Sequence, residues 1–351
     1  MPVLTEKRLT EFCSKVLKQL GASDEEAERV TTHLVTNNLM GHDSHGVIQL
    51  ANYAHQIKRG EIKPGAKMEI VRETPCTAVL DGNWGFGQLI AKKAMEMAIE
   101  KAGRNSISCL SVRNCNHIGR LGEYSTMAAE RNMIGIISAN DHGTGLIMAP
   151  YGGITRKLSP NPISIAFPSN RDHPILLDMS CTVVAQGKLL VKRSRKENIP
   201  EGWAIDVSGK SITNPNDYWG PPEGAILPLG GSVAGHKGFG LGFVLDVLDG
   251  VLGGAGCSRE DATRDGNGLF IIAINITDFV HLDEFRREVE QFTRHVKSSA
   301  LAPGFTEILV PGDSEYREQI KRRKDGIMIE EETWRTILEI AHEVGLNLDI
   351  A

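Results

Sequence analysis

The chain has 351 residues, 41% of them hydrophobic and 24% charged, with a formal charge of −5. That length allows about two domains at ~150 residues each, and the composition is that of an ordinary globular protein rather than a nucleic-acid-binding or disordered one. No apolar run approaches the ~18 residues of a membrane span, and the first residues carry no apolar signal core.

Six cysteines lie dispersed without a CxxC spacing. Free thiols in a reducing compartment are therefore expected, with a cytoplasmic location and neither nucleic acid nor membrane as partner. The one dense basic run, "VKRSRKEN" (191–198), lacks interleaved aromatics and reads as a solvated loop. A phosphate of a small anionic ligand is its other use.

In chain order, Thr5 precedes apolar residues at Leu9, Phe12, Cys13, Val16, Leu17 and Leu20, a helical stripe that Gly21 stops. Ser23 and Glu26 form a capping box for a second helix toward Leu39. A third is expected in "VIQLANYAHQIKRG". From about Pro75 the texture changes. "TAVLDG", "ISCLSV", "IGIISAN", "ISIAFP", "ILLDMS" and "LFIIAINI" are short β-rich runs, with helices expected in "QLIAKKAMEMAIEKA", "LGEYSTMAAERN" and, last, "EETWRTILEIAHEVG". The fold class is α/β (α+β).

No GxGxxG follows a strand and no Walker A sequence occurs, so any dinucleotide site is not of Rossmann type. "GHDSHG" (41–46) reads first as a capping cluster. It also suits a pocket wall with His45 and Ser44, and less well a metal site using His42 and His45. His117 stands between the strand "SISCLSVR" and a helix, a place where α/β proteins often bind ligands. There it either caps a turn or moves a proton. Arg120 is an exposed helix residue or an anion clamp. Asp178 ends a strand and suits either a ribose hydroxyl or the cap of a helix. "AGHKGFGLGF" (234–243) reads as a glycine-rich loop before an amphipathic run, open either to a ligand or to nothing but solvent.

These segments in their order, with "LDGNWGFGQ", "APYGG", "SPNPISIAFP", "IPEGWAIDVSG", "APGF" and "LVPGDSE", resemble the type-2 malate/L-lactate dehydrogenase family of NAD(P)-dependent oxidoreductases. The likeness runs nearly end to end. It is strongest toward the hydroxycarboxylate dehydrogenase branch, which "RRKDGIMIEEETW" also resembles.

The resemblance implies a non-Rossmann, largely antiparallel sheet domain over 75–312 that binds NAD or NADP and holds an inserted substrate and dimer subdomain. A helical domain of residues 1–74 would be joined by 313–351, and two chains would form a homodimer. It implies His117 as acid/base toward a 2-oxo or 2-hydroxy acid, with no metal. Cofactor contacts would come from His45, Gly119, Arg120, Leu121, Leu176, Leu177, Asp178, Met179, Ser180, His236, Asn267, Gly312, Asp313, Ser314 and Glu315, with Lys237 beside them. A cyclic imino-acid reductase of the same family is one alternative, a metal-dependent hydrolase another.

The sequence departs from the family at one telling place. Many members carry arginine two residues after the valine of "SHGV"; here Gln49 stands there. An amide cannot form the bidentate ion pair with a substrate carboxylate. Arg120 is expected to supply that charge, with Tyr53 and Ser44 beside it.

Overall fold

The computed structural model describes residues 1–143 and 145–346. Strand β1 (Val3–Leu4) leads to Thr5, whose hydroxyl accepts the N–H of Arg8 and starts α1 (Glu6–Gln19). Ser23 and Glu26 cap α2 (Asp24–Leu39) reciprocally, as expected. A single 3-10 turn, Asp43–His45, precedes α3 (Gln49–Lys58). The chain then runs through β2 (Glu69–Glu73), β3 (Thr77–Asp81), α4 (Gly87–Asn105), β4 (Ile107–Cys115), α5 (Gly122–Glu130), β5 (Met133–Ala139), β6 (Ile163–Phe167) and β7 (Ile175–Met179). A smaller region holds α6 (Gln186–Ser194), β8 (Ala204–Ile205), α7 (Asn216–Trp219) and β9 (Ala225–Ile226). Then come α8 (Gly231–Gly250), β10 (Asn267–Asn275), α9 (Leu282–Lys297), α10 (Asp313–Asp325), β11 (Ile327–Met328) and α11 (Glu331–Glu343).

The main sheet has the order β2-β3-β4-β10-β5-β6-β7, and β3–β4 is its one parallel pair. It is thus a mixed, mostly antiparallel sheet. Strand β10 sits in the middle, paired on both sides. Its Leu269, Ile271 and Ala273 point with Leu110 and Val112 of β4 into one core. The side chains that meet them from α4 are mostly small: Ala91, Ala94, Ala98 and Ala102. Such a face lets a helix lie close on a sheet.

The two chain ends share a second core. β1 pairs with β11, and Leu9, Phe12 and Val16 pack with Ile337 and Ile340, Phe12 lying 5.3 Å from Trp334. A third cluster, including Ile147, Leu189, Tyr218 and Ile226, fills the smaller region.

Three expectations need correction. The sheet begins at β2, ahead of residue 75, on an edge strand whose five residues are all exposed and so show no alternation. The "VKRSRKEN" run lies partly in α6 rather than in a loop, with the Arg193 guanidinium 4.8 Å from the Trp219 ring centroid. Most important, the glycine-rich stretch around His236 is helical, inside α8. Its glycines serve close packing. A Cβ on Gly238 would stand 2.4 Å from the backbone nitrogen of Leu229, and one on Gly242 would meet Cys181 and Met148 at 3.2 Å.

Gly240 faces open space, which gives a paired prediction. Gly238→Ala drives a methyl into backbone and should cost ~1–3 kcal/mol. Gly240→Ala, in the same helix, meets no atom of its own chain and should instead stabilise the monomer by up to ~1 kcal/mol. Urea denaturation of the two variants measures both, and a loss at Gly240 equal to that at Gly238 would show that close packing is not the reason for the glycines.

Candidate active site

Strand β4 ends at Cys115, and the six residues 116–121 carry the chain to the first turn of α5. Backbone N–H groups in such a turn have no helical or sheet partner and must find another. Three of them donate to side chains from three different elements. Ile118 N reaches Asn267 Oδ1 of β10 (3.0 Å), Arg120 N reaches His33 Nε2 of α2 (3.1 Å), and Gly122 N reaches Asp178 Oδ2 of β7 (2.8 Å). Gly119, at φ +75°, lies so close to the His33 ring that a Cβ would overlap its Nε2 at 2.0 Å. Because His33 Nε2 accepts, its proton sits on Nδ1 and faces Glu123, which also pairs with Arg29.

His117 rides on this turn. Its Nδ1 lies 2.8 Å from the hydroxyl of Tyr53, and Gln88 Nε2 donates to the same oxygen at 2.6 Å. Where the ring donates from Nδ1 to the Tyr53 oxygen, Nε2 carries a lone pair in the neutral ring and a proton in the cation. Nε2 is thereby the nitrogen left for a substrate. Burial is the main reason that the His117 pKa is lowered to about 4, with the neighbouring His33 acting in the same direction. The His45 ring stacks 5.8 Å away; burial, then His117, lowers its pKa to about 3. Burial pushes the Tyr53 phenol well above its ordinary value.

A cleft of about 290 Å³ opens beside His117. One wall is the polar face of α3, with Gln49, Asn52, Gln56 and, just past its end, Arg59. Asn116, Asn267, Asp141 and Asp265 also line it. Of these, Gln49, Tyr53, His117 and Asn267 were expected site residues. Gln88, Asp141, Asp265 and Arg59 were not, and the α3 spacing Gln49–Asn52–Gln56–Arg59 was the one sequence signal for the last of them.

Arg120 does not reach the cleft. It is buried, its Nε donating to Asn37 Oδ1 (3.0 Å), Nη1 to Asp178 Oδ2 (3.2 Å) and Nη2 to Met40 Sδ (3.0 Å). The expectation that it replaces the arginine missing at 49 is corrected: its charge is already spent on Asp178. Ser44 is near but turned to His45 (Oγ to Nδ1, 3.0 Å), and its carbonyl accepts from Gln49 Nε2. His42 and His45 stand on a 3-10 turn, His42 Nε2 lying 3.6 Å from Glu315. Among the described residues no three His, Cys, Asp or Glu side chains form a metal-holding group.

Several expected cofactor segments converge. Asp178 joins β7 to the turn at 119–122, and Leu176 N donates to Pro311 O (3.2 Å), bringing Gly312–Glu315 alongside β7. Gly312 has φ +96° and a Cβ there would crowd Leu176 at 3.4 Å. Leu177, Met179 and Ser180 keep partial or greater exposure beside it. Bare main chain at Gly119 and Gly312, with the second oxygen of Asp178 free to accept, fits the sugar of a dinucleotide. Asp313 is different. It is 1% exposed and held by Arg171, His173 and Lys297, so its carboxylate braces the fold. Leu121 is buried under α5. His236 and Lys237 are exposed on α8, His236 lying edge-on to Tyr151 at 5.6 Å. The glycine face of that helix packs on Cys181, next to Ser180.

The family model for malate/L-lactate dehydrogenase matches residues 4–338, and the chain belongs to that family. It is 39% identical to a malate dehydrogenase of Pyrococcus abyssi, covering 98% of this chain and 95% of that one. It is 30% identical to hydroxycarboxylate dehydrogenase B of Escherichia coli, covering 96% and 93%. Among solved structures, a malate dehydrogenase from Entamoeba histolytica superposes with a TM-score of 0.93 at 31% identity, covering 99% of each chain. The chain is therefore a dehydrogenase of the 2-hydroxy acid type.

The Gln88–Tyr53–His117 chain can be tested without turnover. Tyr53→Phe leaves the amide of Gln88, 1% exposed, without its acceptor. Unfolding free energy should fall by ~1–3 kcal/mol, and a Tyr53→Phe/Gln88→Leu double variant should recover part of it. Chemical denaturation of the three proteins decides; additive losses would show that the two side chains are not coupled.

Proposed function

We propose that the protein is an NAD(P)-dependent oxidoreductase interconverting a 2-oxo acid and a 2-hydroxy carboxylic acid, with His117 as acid/base. One observation carries this reading: a buried, neutral histidine whose Nδ1 is held by Tyr53 and whose Nε2 remains for a ligand in a cleft of small-molecule size. The nicotinamide, when bound, supplies or takes the hydride at the carbonyl carbon. In reduction, imidazolium Nε2–H donates to the carbonyl oxygen as negative charge develops there, and Nδ1–H stays on the Tyr53 oxygen. In oxidation, Nε2 of the neutral ring accepts the hydroxyl proton. His45, the 119–121 turn, residues 176–180, Gly312 and Glu315 are the residues we assign to holding the cofactor. With one parallel strand pair in the sheet and no glycine fingerprint, the cofactor would be held in a non-Rossmann manner.

The proposal extends to assembly. Phe243, Val244, Val247 and Val251 form an exposed apolar stripe along α8, a face that soluble monomers rarely leave open. We read it as the contact of a homodimer. Helices α1 to α3 with α10 and α11 would form the helical domain, supported by the core that joins both chain ends, and the sheet domain would take the rest from β2 onward.

Purified protein should oxidise NADH or NADPH with a 2-oxo acid, and His117→Ala should lose ~100-fold or more. The pH dependence has a definite sign. Reduction needs His117 protonated, so its kcat/KM should fall as pH rises above about 4. Oxidation needs it neutral, so its kcat/KM should be level from about pH 5 upward as far as His117 is concerned. Activity untouched in His117→Ala would sink the assignment. Light scattering should give twice the chain mass, and Val247→Glu should shift it toward the monomer.

A further inference from the structure

Behind the turn that carries His117 lies a second histidine. His33 of α2 is fully buried. Its Nδ1 meets one oxygen of Glu123, and Arg29 donates to the other. A carboxylate on Nδ1 fixes the proton there and leaves Nε2 with a lone pair. That lone pair accepts the N–H of Arg120, shortly after His117, at 3.1 Å. The fit has no slack. The Tyr124 ring stacks on His33 at 5.6 Å, its hydroxyl donates to Ile118 O at 2.5 Å, and Gly119 has no room for a Cβ beside Nε2. The same buried group also reaches His117 from the far side. Arg29 Nε donates to the carbonyl of Gln88 at 3.3 Å, and the Gln88 side chain donates to the Tyr53 hydroxyl that meets His117 Nδ1.

We propose that His33 is a positioning residue for His117, a neutral acceptor whose tautomer is set by Glu123. It rests on the reading of His117 as the group that moves the proton. His33 touches no ligand; it acts through the Arg120 N–H. A second proton on the ring would sit on Nε2 and face that N–H, donor against donor. Gly119 already lies against the ring, so the turn could relieve the clash only by moving, and His117 would move with it. The surroundings oppose such a proton. Burial lowers the His33 pKa most; Glu123 of α5 works the other way, while Arg29 of α2 and Arg120 of the turn lower it further. Tyr124 of α5 stays a neutral phenol. His33 in turn helps to hold His117 and His45 low. A depressed pKa in the fold means that the stability tied to neutral His33 is intact near neutrality and is lost as pH falls below the ordinary histidine range.

Two replacements separate the acceptor from the volume of the ring. His33→Gln sets an amide oxygen where Nε2 stands and does not titrate. His33→Leu fills space and accepts nothing. With a 2-oxo acid and reduced cofactor near neutral pH, His33→Leu should lose about tenfold to a hundredfold in kcat, and KM for the cofactor should move less than about threefold. His33→Gln should recover most of that loss. Hydrogen exchange at the Arg120 amide, followed by NMR, reads the turn without turnover. Its protection factor should be high in the wild type and in His33→Gln and low in His33→Leu. On acidification it should fall in the wild type before it falls in His33→Gln, a comparison that needs no leucine variant to fold. Unchanged kcat in His33→Leu, or a loss that glutamine does not recover, overturns the proposal and leaves the dehydrogenase reading standing. So does acid loss of protection that is the same in the wild type and the glutamine variant. A wild-type protein that turns over no 2-oxo acid overturns the dehydrogenase reading, and the Arg120 protection factors then decide by themselves whether His33 holds the turn.

Discussion

The rest of the site depends on three backbone hydrogen bonds. Between the end of β4 and the start of α5 the chain must turn with its N–H groups pointing away from any regular ladder. Ile118, Arg120 and Gly122 donate to Asn267, His33 and Asp178 in turn. Each acceptor comes from a different element and lies 56 to 149 residues away along the chain. The turn is therefore correct only when the sheet, the strand beyond it and the N-terminal helices are all in place. A histidine set on such a turn is held by the whole fold, and it needs little else to be oriented. Tyr53 then closes the arrangement from a fourth direction.

The same bonds explain where charge goes. Asp178 serves Gly122 as a helix cap and Arg120 as a counter-ion at once. A buried guanidinium without that carboxylate would be costly. Arg29 and Glu123 repeat the device one helix turn on, with His33 neutral between Glu123 and the Arg120 N–H. Both arginines nearest the His117 turn are thus neutralised locally. The cleft itself is lined by His117, amides, two aspartates and Arg59.

The sequence showed the first half of this better than the second. Helix starts at Thr5 and Ser23 and the strands around β10 were legible, since caps and apolar periodicity are local. His117 was legible as a strand-to-helix junction, and Asp178 as a strand-end acid with helix capping among its stated uses. Arg120 was misjudged because its partners, Asn37, Met40 and Asp178, lie 58 to 83 residues off, and no local pattern announces a buried arginine. Asp141 and Asp265 were missed for the same reason: 124 residues separate them, and only the pairing of β5 with β10 brings them to one cleft. The α8 glycines misled differently. Glycine signals freedom in a loop and close approach in a helix, and only the neighbour, here Leu229 and Cys181, tells which.

His117 and the outer face of α3 occupy separate parts of the scaffold. The histidine sits on a turn that is braced from three elements, where substitution is felt throughout the fold. The amides of α3 sit on its outer face, Asn52 exposed and Gln49 and Gln56 half-buried, with Leu50, Ala51, Tyr53 and Ala54 turned inward to hold the helix down. Asn52, on the exposed side, can change without disturbing that buried face, whereas the turn that carries His117 is tied to three other elements. Tyr53 belongs to both sets. It is buried with the inward face, yet its hydroxyl fixes His117, so α3 keeps its register against that histidine whatever its outer face presents to the cleft.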